Sequence, residues 1–199
     1  MGEFNKKNKS KTNLMLRTFS SFFIVGIILS GIYFGGVYWN VIVSLAAMLS
    51  LLEFYKIQST KHDLSASLVL ASGAFILLGT SLNMSLTSIL CTISCIVFIA
   101  LFIEILKHQL KGESFALENM GAVISGIAYI VLPWSFMIII RERELGIVVL
   151  LALFLCTWSC DVAAYFVGTT FGRTKLCDKV SPHKTWEGFW GGVFASFIC

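Results

Sequence analysis

The chain has 199 residues, of which 57% are hydrophobic and only 13% charged, with a formal net charge of +4 and a mean hydropathy of +0.85. An ordinary soluble domain carries about 25% charged residues, and one this short leaves too much surface in water to hide so much apolar material. These values exclude the soluble, disordered, collagen-like and nucleic-acid-binding classes. Two prolines and long uncharged runs favour membrane-spanning helices over a barrel, whose strands would alternate polar and apolar residues.

Residues 1–18 form a basic tail, with Lys6, Lys7, Lys9, Lys11 and Arg17 ahead of an apolar run. No small-residue cleavage site follows and further spans come later, so the segment reads as an uncleaved signal anchor. No residue from Thr18 to Leu52 is charged. About 20 residues cross a bilayer, so this run divides into spans at 19–34 and 38–55 around a turn at Gly35-Gly36; one long tilted helix is the alternative. After a polar segment from Lys56 to Asp63, the chain is apolar from Leu64 to Leu106 except for Glu104. Gly79-Thr80-Ser81-Leu82-Asn83 supplies a turn within it, giving spans at 64–80 and 86–106. A polar segment from Lys107 to Glu118 precedes a fifth span at 119–140, closed by Arg141-Glu142-Arg143-Glu144. The sixth span, 145–168, carries Asp161. Residues 169–188 form a basic loop, and 189–199 begin a seventh span that breaks off at Cys199. The expected fold is therefore all-α: a polytopic helical membrane protein of about six complete transmembrane helices plus the start of a seventh.

With the N-terminus in the cytoplasm, Lys56, Lys61, Lys107, Lys111, Arg173, Lys175, Lys179 and Lys184 join the tail's five basic residues inside. Only Arg141 and Arg143 fall outside, which is the asymmetry that sets membrane orientation. A single first span would put the later basic segments on the wrong side. The six cysteines show no CxxC or Cys/His metal spacing. Cys91 with Cys95, and Cys156 with Cys160, read as small packing residues, and Cys177 falls in the basic loop. Glu53 and Glu104 each have a lysine three residues on, Lys56 and Lys107, which suits helix-end pairing.

Chemistry concentrates between Trp158 and Gly192. Asp161 lies sixteen residues past Leu145, about 24 Å along a helix, and so near the cytoplasmic end of its span. A carboxylate within a span usually faces a partner, an ion or the bundle interior; the alternative is an interfacial aspartate in headgroup water. Tyr165 and Gly168 follow at i+4 and i+7 on the same face, where the phenol can orient the carboxylate. In the loop, Gly168, Gly172 and Gly188 bracket Arg173, Lys175, Lys179 and Lys184. Glycines let the backbone approach an anion, and the basic groups supply charge for it. No P-loop pattern is present. Pro182 biases Ser181 toward an extended conformation, so that Lys184 and the hydroxyls of Ser181 and Thr185 can converge on a phosphate. A juxtamembrane basic loop that only touches anionic lipid is the alternative. His183 reads as a solvated loop histidine rather than a titrating group of the site, as do His62 and His108.

The segments Asp161-Val162-Ala163-Ala164-Tyr165, Gly168-Thr169-Thr170-Phe171-Gly172-Arg173-Thr174-Lys175-Leu176 and Ser181-Pro182-His183-Lys184-Thr185-Trp186-Glu187-Gly188-Phe189-Trp190-Gly191-Gly192 occur in that order. In this they resemble the cytidylyltransferase region of the bacterial phosphatidate cytidylyltransferase (CDP-diacylglycerol synthase) family. Glu53-Phe54-Tyr55, Tyr129 and Pro133 are weaker echoes upstream, and Thr169 stands where the family often has a basic residue. The family's metal-binding Asp–Arg–x–Asp-like segment does not occur before Cys199, so the chain is expected to correspond to the N-terminal two thirds of such an enzyme. The resemblance implies condensation of CTP with phosphatidic acid to give CDP-diacylglycerol and pyrophosphate, aided by Mg²⁺ or another divalent cation. It implies Lys184 and Asp161 as catalytic residues, with Asp161 also a candidate metal ligand. Arg173, Lys175, Ser181 and Thr185 would bind phosphates, Tyr165 would stand beside the substrate, and Glu187 would orient a lysine or the metal. It further implies a multi-pass protein of the bacterial inner membrane with its N-terminus and active loop in the cytoplasm, and a homodimer as a further candidate assembly. Three alternatives stay open: an inactive truncated remnant, a membrane transporter, and a different membrane nucleotidyl- or phosphotransferase.

Overall fold

The computed structural model describes residues 19–59, 66–112, 116–177 and 181–199. The basic tail 1–18, and with it the signal-anchor reading, lies outside the described residues, as do Lys61, His62 and Lys179. The chain divides into two compact units, Met1–Arg143 and Glu144–Cys199.

In the first unit, α1 (Phe19–Phe34) and α2 (Gly36–Ser59) meet at the expected Gly35-Gly36 turn. Both glycines have positive φ, 63° and 53°, a conformation that costs glycine nothing. Arg141 closes this turn from the far end of the unit's sequence. Its Nε donates to the carbonyl of Ile32 at 2.6 Å and its Nη2 to that of Tyr33 at 3.2 Å, satisfying carbonyls that the end of α1 leaves without a helical partner. Along α2, Trp39, Val43, Ala47 and Leu51 recur every fourth residue and are all buried, the spacing of one helix face. The Trp39 indole donates to the Met137 carbonyl at 3.0 Å and so ties α2 to α6 (Leu132–Arg141).

The turn expected at 79–83 separates α3 (Ala66–Ser81) from α4 (Leu86–Lys111). Asn83 takes a positive φ of 58°, one of the few non-glycine residues suited to it, and the Ser85 hydroxyl caps α4 by accepting from the Ser88 amide at 3.2 Å. The fifth expected span is one continuous stretch, Ala116–Arg141, but it is not a uniform α-helix. Between α5 (Ala116–Gly126) and α6, residues Ile127–Val131 form a π-helical turn, with the Leu132 amide donating to the Ile127 carbonyl. Pro133 follows after Leu132. It lacks an N–H and crowds the carbonyl four residues back, which disfavours regular helix there.

The expected pairs of Glu53 with Lys56 and Glu104 with Lys107 are both present, at 2.6 and 3.2 Å. They differ in setting. The Glu53 side chain is 69% exposed and the Glu104 side chain 6%. Glu104 also accepts from the buried Asn119 Nδ2 at 2.9 Å, joining α4 to α5. Cys91 and Cys95, expected to pack inside, are exposed on α4; a thiol is apolar enough to face lipid.

In the second unit, α7 (Gly146–Phe171) is followed by two short antiparallel strands, β1 (Lys175–Cys177) and β2 (Ser181–Thr185), and by α8 (Trp186–Ile198). The segment expected as a loop over 169–188 is thus largely ordered. Helix α7 runs three residues further than expected, and α8 starts at Trp186 instead of 189 because Thr185 caps it: the hydroxyl accepts from the Gly188 amide at 3.2 Å. Cys177 stands on β1.

Among the described residues four stretches are long and apolar enough to cross a membrane: Gly36–Gln58, Leu86–Leu110, Ala116–Arg141 and Gly146–Phe171. Phe19–Phe34 and Leu68–Ser81 are apolar but shorter. Each of the six expected spans therefore coincides with an apolar helix, two of them below the length that crosses a bilayer upright. The chain is an all-α multi-pass membrane protein, to which the β1–β2 ribbon is a small addition.

Candidate active site

Helices α7 and α8 meet along a seam of small residues. A Cβ added to Gly192 would stand 3.0 Å from the Cys160 carbonyl, and one added to Gly188 would stand 2.8 Å from the Ala164 carbonyl and 3.0 Å from the Gly168 Cα. The Ser196 hydroxyl reaches the Cys156 carbonyl at 3.5 Å. Cys156, Cys160, Ala164 and Gly168 on α7 thus face Ser196, Gly192 and Gly188 on α8, each set at four-residue spacing. Small side chains are what lets two helix backbones come this close, in lipid above all. The packing role expected for Cys156 and Cys160 is the one they have.

Alongside the seam the two helices and the ribbon line an open cavity of about 520 Å³, within the range of small-molecule sites. Asp161 and Tyr165 reach it from α7, one helical turn apart. Ser181, His183, Lys184 and Thr185 reach it from β2. Ala164, Leu176, Phe189 and Val193 give it an apolar wall. The cavity therefore pairs hydroxyls, an imidazole and the Lys184 ammonium with a greasy side. Five residues expected in the site come together here: Asp161, Tyr165, Ser181, Lys184 and Thr185. His183 joins them, although as a sequence feature it read as a solvated loop histidine. Pro182 favours the extended chain that carries it, and β2 presents His183 to the cavity together with Ser181, Lys184 and Thr185.

Arg173, Lys175 and Glu187 do not line the cavity. Arg173 and Lys175 are exposed at the corner where α7 gives way to β1. Glu187, expected to orient a lysine or the metal, is engaged with backbone. One carboxylate oxygen accepts from the Arg173 amide at 3.1 Å, and both accept from the Thr174 amide at 3.2 Å. Hydrogen bonds from its own amide, the largest influence, and from the amides of Arg173 and Thr174 stabilise the ionised form and lower the Glu187 pKa. Thr185 likewise spends an acceptor position on capping α8, which leaves its hydroxyl hydrogen to donate. Two signals for this arrangement were in the sequence: a threonine N-cap followed by an acidic residue in the first helical turn, and glycines at 188, 191 and 192 on a single helix.

Among the described residues no three His, Cys, Asp or Glu side chains cluster closely enough to hold a metal by themselves. Among the described residues Asp161 is the single carboxylate on the cavity. That donor set fits Mg²⁺, which is held by one or two carboxylates together with substrate phosphates and keeps its remaining waters.

The chain matches the model of the Cytidylyltransferase family over residues 15–199. Similar proteins include a phosphatidate cytidylyltransferase from Staphylococcus aureus, 26% identical over 186 residues, which are 93% of this chain and 70% of that one. Phosphatidate cytidylyltransferases from Pseudomonas aeruginosa and Haemophilus influenzae are 35% identical over 68 residues and 45% identical over 53 residues. The chain spans only 25% and 18% of those two relatives. The family match takes in α1 to α8, the cavity and the seam beneath it, and the chain belongs to the cytidylyltransferase family.

Proposed function

We propose that the protein is a CTP-dependent phosphatidate cytidylyltransferase that joins CTP and phosphatidic acid into CDP-diacylglycerol and pyrophosphate. The observation that carries this reading is the cavity of the second unit. It sets Lys184, His183 and two hydroxyls against an apolar wall, on the stretch of chain whose residue order resembles the family's. A phosphate-bearing lipid needs both kinds of surface. A phosphate oxygen of the lipid attacks the α-phosphorus of CTP, the new P–O bond forms as the α–β bond breaks, and pyrophosphate leaves. The attacking oxygen is already anionic, so the protein's task is to bring two anions together and neutralise charge on the leaving group.

In this reading Lys184 is the cation closest to the reacting phosphates, and Ser181 and Thr185 donate hydrogen bonds to phosphate oxygens. Arg173 and Lys175 attract the triphosphate at the corner. Tyr165 steadies Asp161, which would hold Mg²⁺, and the ion when bound would supply positive charge for the leaving pyrophosphate. The basic asymmetry of the sequence supports a bacterial inner membrane protein with its N-terminus and the cavity on the cytoplasmic side. A homodimer is compatible with this reading.

The test is synthesis of CDP-diacylglycerol by the native protein purified from its own membranes. Product should require CTP, phosphatidic acid and a divalent cation, and should vanish on chelation. Absence of any CTP-dependent lipid product would sink the reading.

A further inference from the structure

The β1–β2 ribbon carries four polar side chains of the cavity, yet a two-stranded ribbon has little stability of its own. Something must fix its base. At that base Thr174, just before β1, is held twice by the start of α8. Its carbonyl accepts from the Trp186 amide at 2.9 Å, and its amide donates to both oxygens of Glu187 at 3.2 Å. The Arg173 amide donates to the same carboxylate at 3.1 Å. Next in register, Lys175 pairs with Thr185, whose hydroxyl caps α8. The two ends of the ribbon are therefore clasped together, and the Glu187 carboxylate reaches back to the backbone amides of the α7 corner.

We propose that Glu187 is a positioning residue: its carboxylate latches the Arg173-Thr174 corner onto the first turn of α8 and so fixes where β2 presents Ser181, His183 and Lys184 to Asp161 and Tyr165. Glu187 is not on the cavity wall, so it acts through the backbone and not on the substrate. Three backbone contacts to one carboxylate are charge-assisted, about twice as strong as neutral ones. Glutamine offers one acceptor oxygen and turns an NH₂ donor toward amides that also donate. Aspartate keeps the charge but is one methylene short. The effect on turnover rests on the cytidylyl transfer proposed above; the latch itself does not.

The experiment therefore reads both. In the full-length chain in membranes, Glu187→Gln should speed hydrogen exchange of the Arg173 and Thr174 amides by about tenfold or more, with α7 upstream of Asp161 unchanged. Glu187→Asp should fall between it and the wild type, and serves if the glutamine variant does not accumulate. Per folded molecule, kcat for CTP turnover should fall about 10- to 100-fold, the scale of a small misplacement of reacting groups, with a smaller change in KM. In Glu187→Ala, added acetate should restore part of both the protection and kcat, which a simple folding defect would not allow. Unchanged exchange in Glu187→Gln would overturn the latch. Faster exchange with unchanged kcat would overturn the positioning role. A wild-type chain without CTP turnover would instead defeat the proposed activity, and the exchange result would still decide the latch.

Discussion

Gly188 lies against Gly168 so closely that a Cβ on Gly188 would stand 3.0 Å from the Gly168 Cα and 2.8 Å from the Ala164 carbonyl. Both obstacles are backbone and cannot step aside. The reverse substitution is gentler: a Cβ on Gly168 would meet the Thr185 hydroxyl at 3.3 Å and the Gly188 Cα at 3.5 Å. Gly188→Ala should therefore destabilise the second unit by about 1–3 kcal/mol, the usual cost of overpacking. Gly168→Ala should cost less, since alanine regains about 0.5–1 kcal/mol of helix preference. Gly121→Ala in α5, where nothing lies within 4 Å, is the control and should be neutral or stabilising. Thermal unfolding in detergent checks the order; equal losses at 188 and 121 would contradict the seam.

Lys184 separates chemistry from folding. It is exposed on β2, lines the cavity and takes no part in the glycine seam. Surface substitutions away from packed or capped positions usually move stability by about 0.5 kcal/mol or less, whereas losing one fixed group that neutralises developing charge costs about 10²–10³ in rate. Lys184→Ala should thus abolish measurable CDP-diacylglycerol formation while leaving membrane insertion and the unfolding temperature as they were. Unchanged turnover would remove Lys184 from the site.

How much of this was legible in the sequence depends on the range of the interaction involved. The helices were readable because an uncharged run and a glycine pair are local facts: the Gly35-Gly36 turn and the 79–83 turn lie where expected. That Asp161, Tyr165, Ser181, Lys184 and Thr185 line one cavity agrees with their order in the sequence. What the order could not reveal was the ribbon, because β1 and β2 are short and are held by the Thr174–Trp186 and Thr174–Glu187 contacts, which no periodicity announces. The contacts of Glu187 stayed hidden for the same reason: a glutamate three residues after Lys184 was expected to orient a lysine or the metal, and only the fold shows its carboxylate accepting from the Arg173 and Thr174 amides. The π-helical turn ahead of Pro133 was not read from the sequence, where 119–140 was expected as one regular span; proline disfavours regular helix there but does not specify the form of the irregularity.

Glu53 and Glu104 look alike in sequence, each three residues before a lysine, but they should respond differently to removal. The Glu53–Lys56 pair is 69% and 64% exposed, and such pairs contribute about 0–1 kcal/mol. Glu104 is buried and holds Asn119 of α5 at 2.9 Å. Removing it leaves a buried amide without that acceptor, a loss of about 1–3 kcal/mol. Glu104→Ala should lower the unfolding temperature in detergent clearly more than Glu53→Ala. If the two variants melt together, the Glu104–Asn119 contact does not join α4 to α5 in the folded protein.

Acid should release the Glu187 clasp in a way that can be read by difference. The carboxyl is held below its usual pKa by hydrogen bonds from its own amide first, then from those of Arg173 and Thr174. A depressed folded pKa means that the stabilisation is present in full above the ordinary value, about 4.3 for a glutamate. It is then lost as pH falls through the lower, folded value. Other carboxylates also titrate in this window, so the informative quantity is wild type minus Glu187→Gln. Between pH 7 and pH 5 the gap in unfolding temperature between the two should stay constant. Below about pH 4.3 it should narrow, because the protonated glutamic acid comes to resemble the glutamine in both charge and donor pattern. A gap that persists unchanged to pH 3 would mean that the carboxylate's charge does not hold the corner, and that the backbone contact between Thr174 and Trp186 suffices.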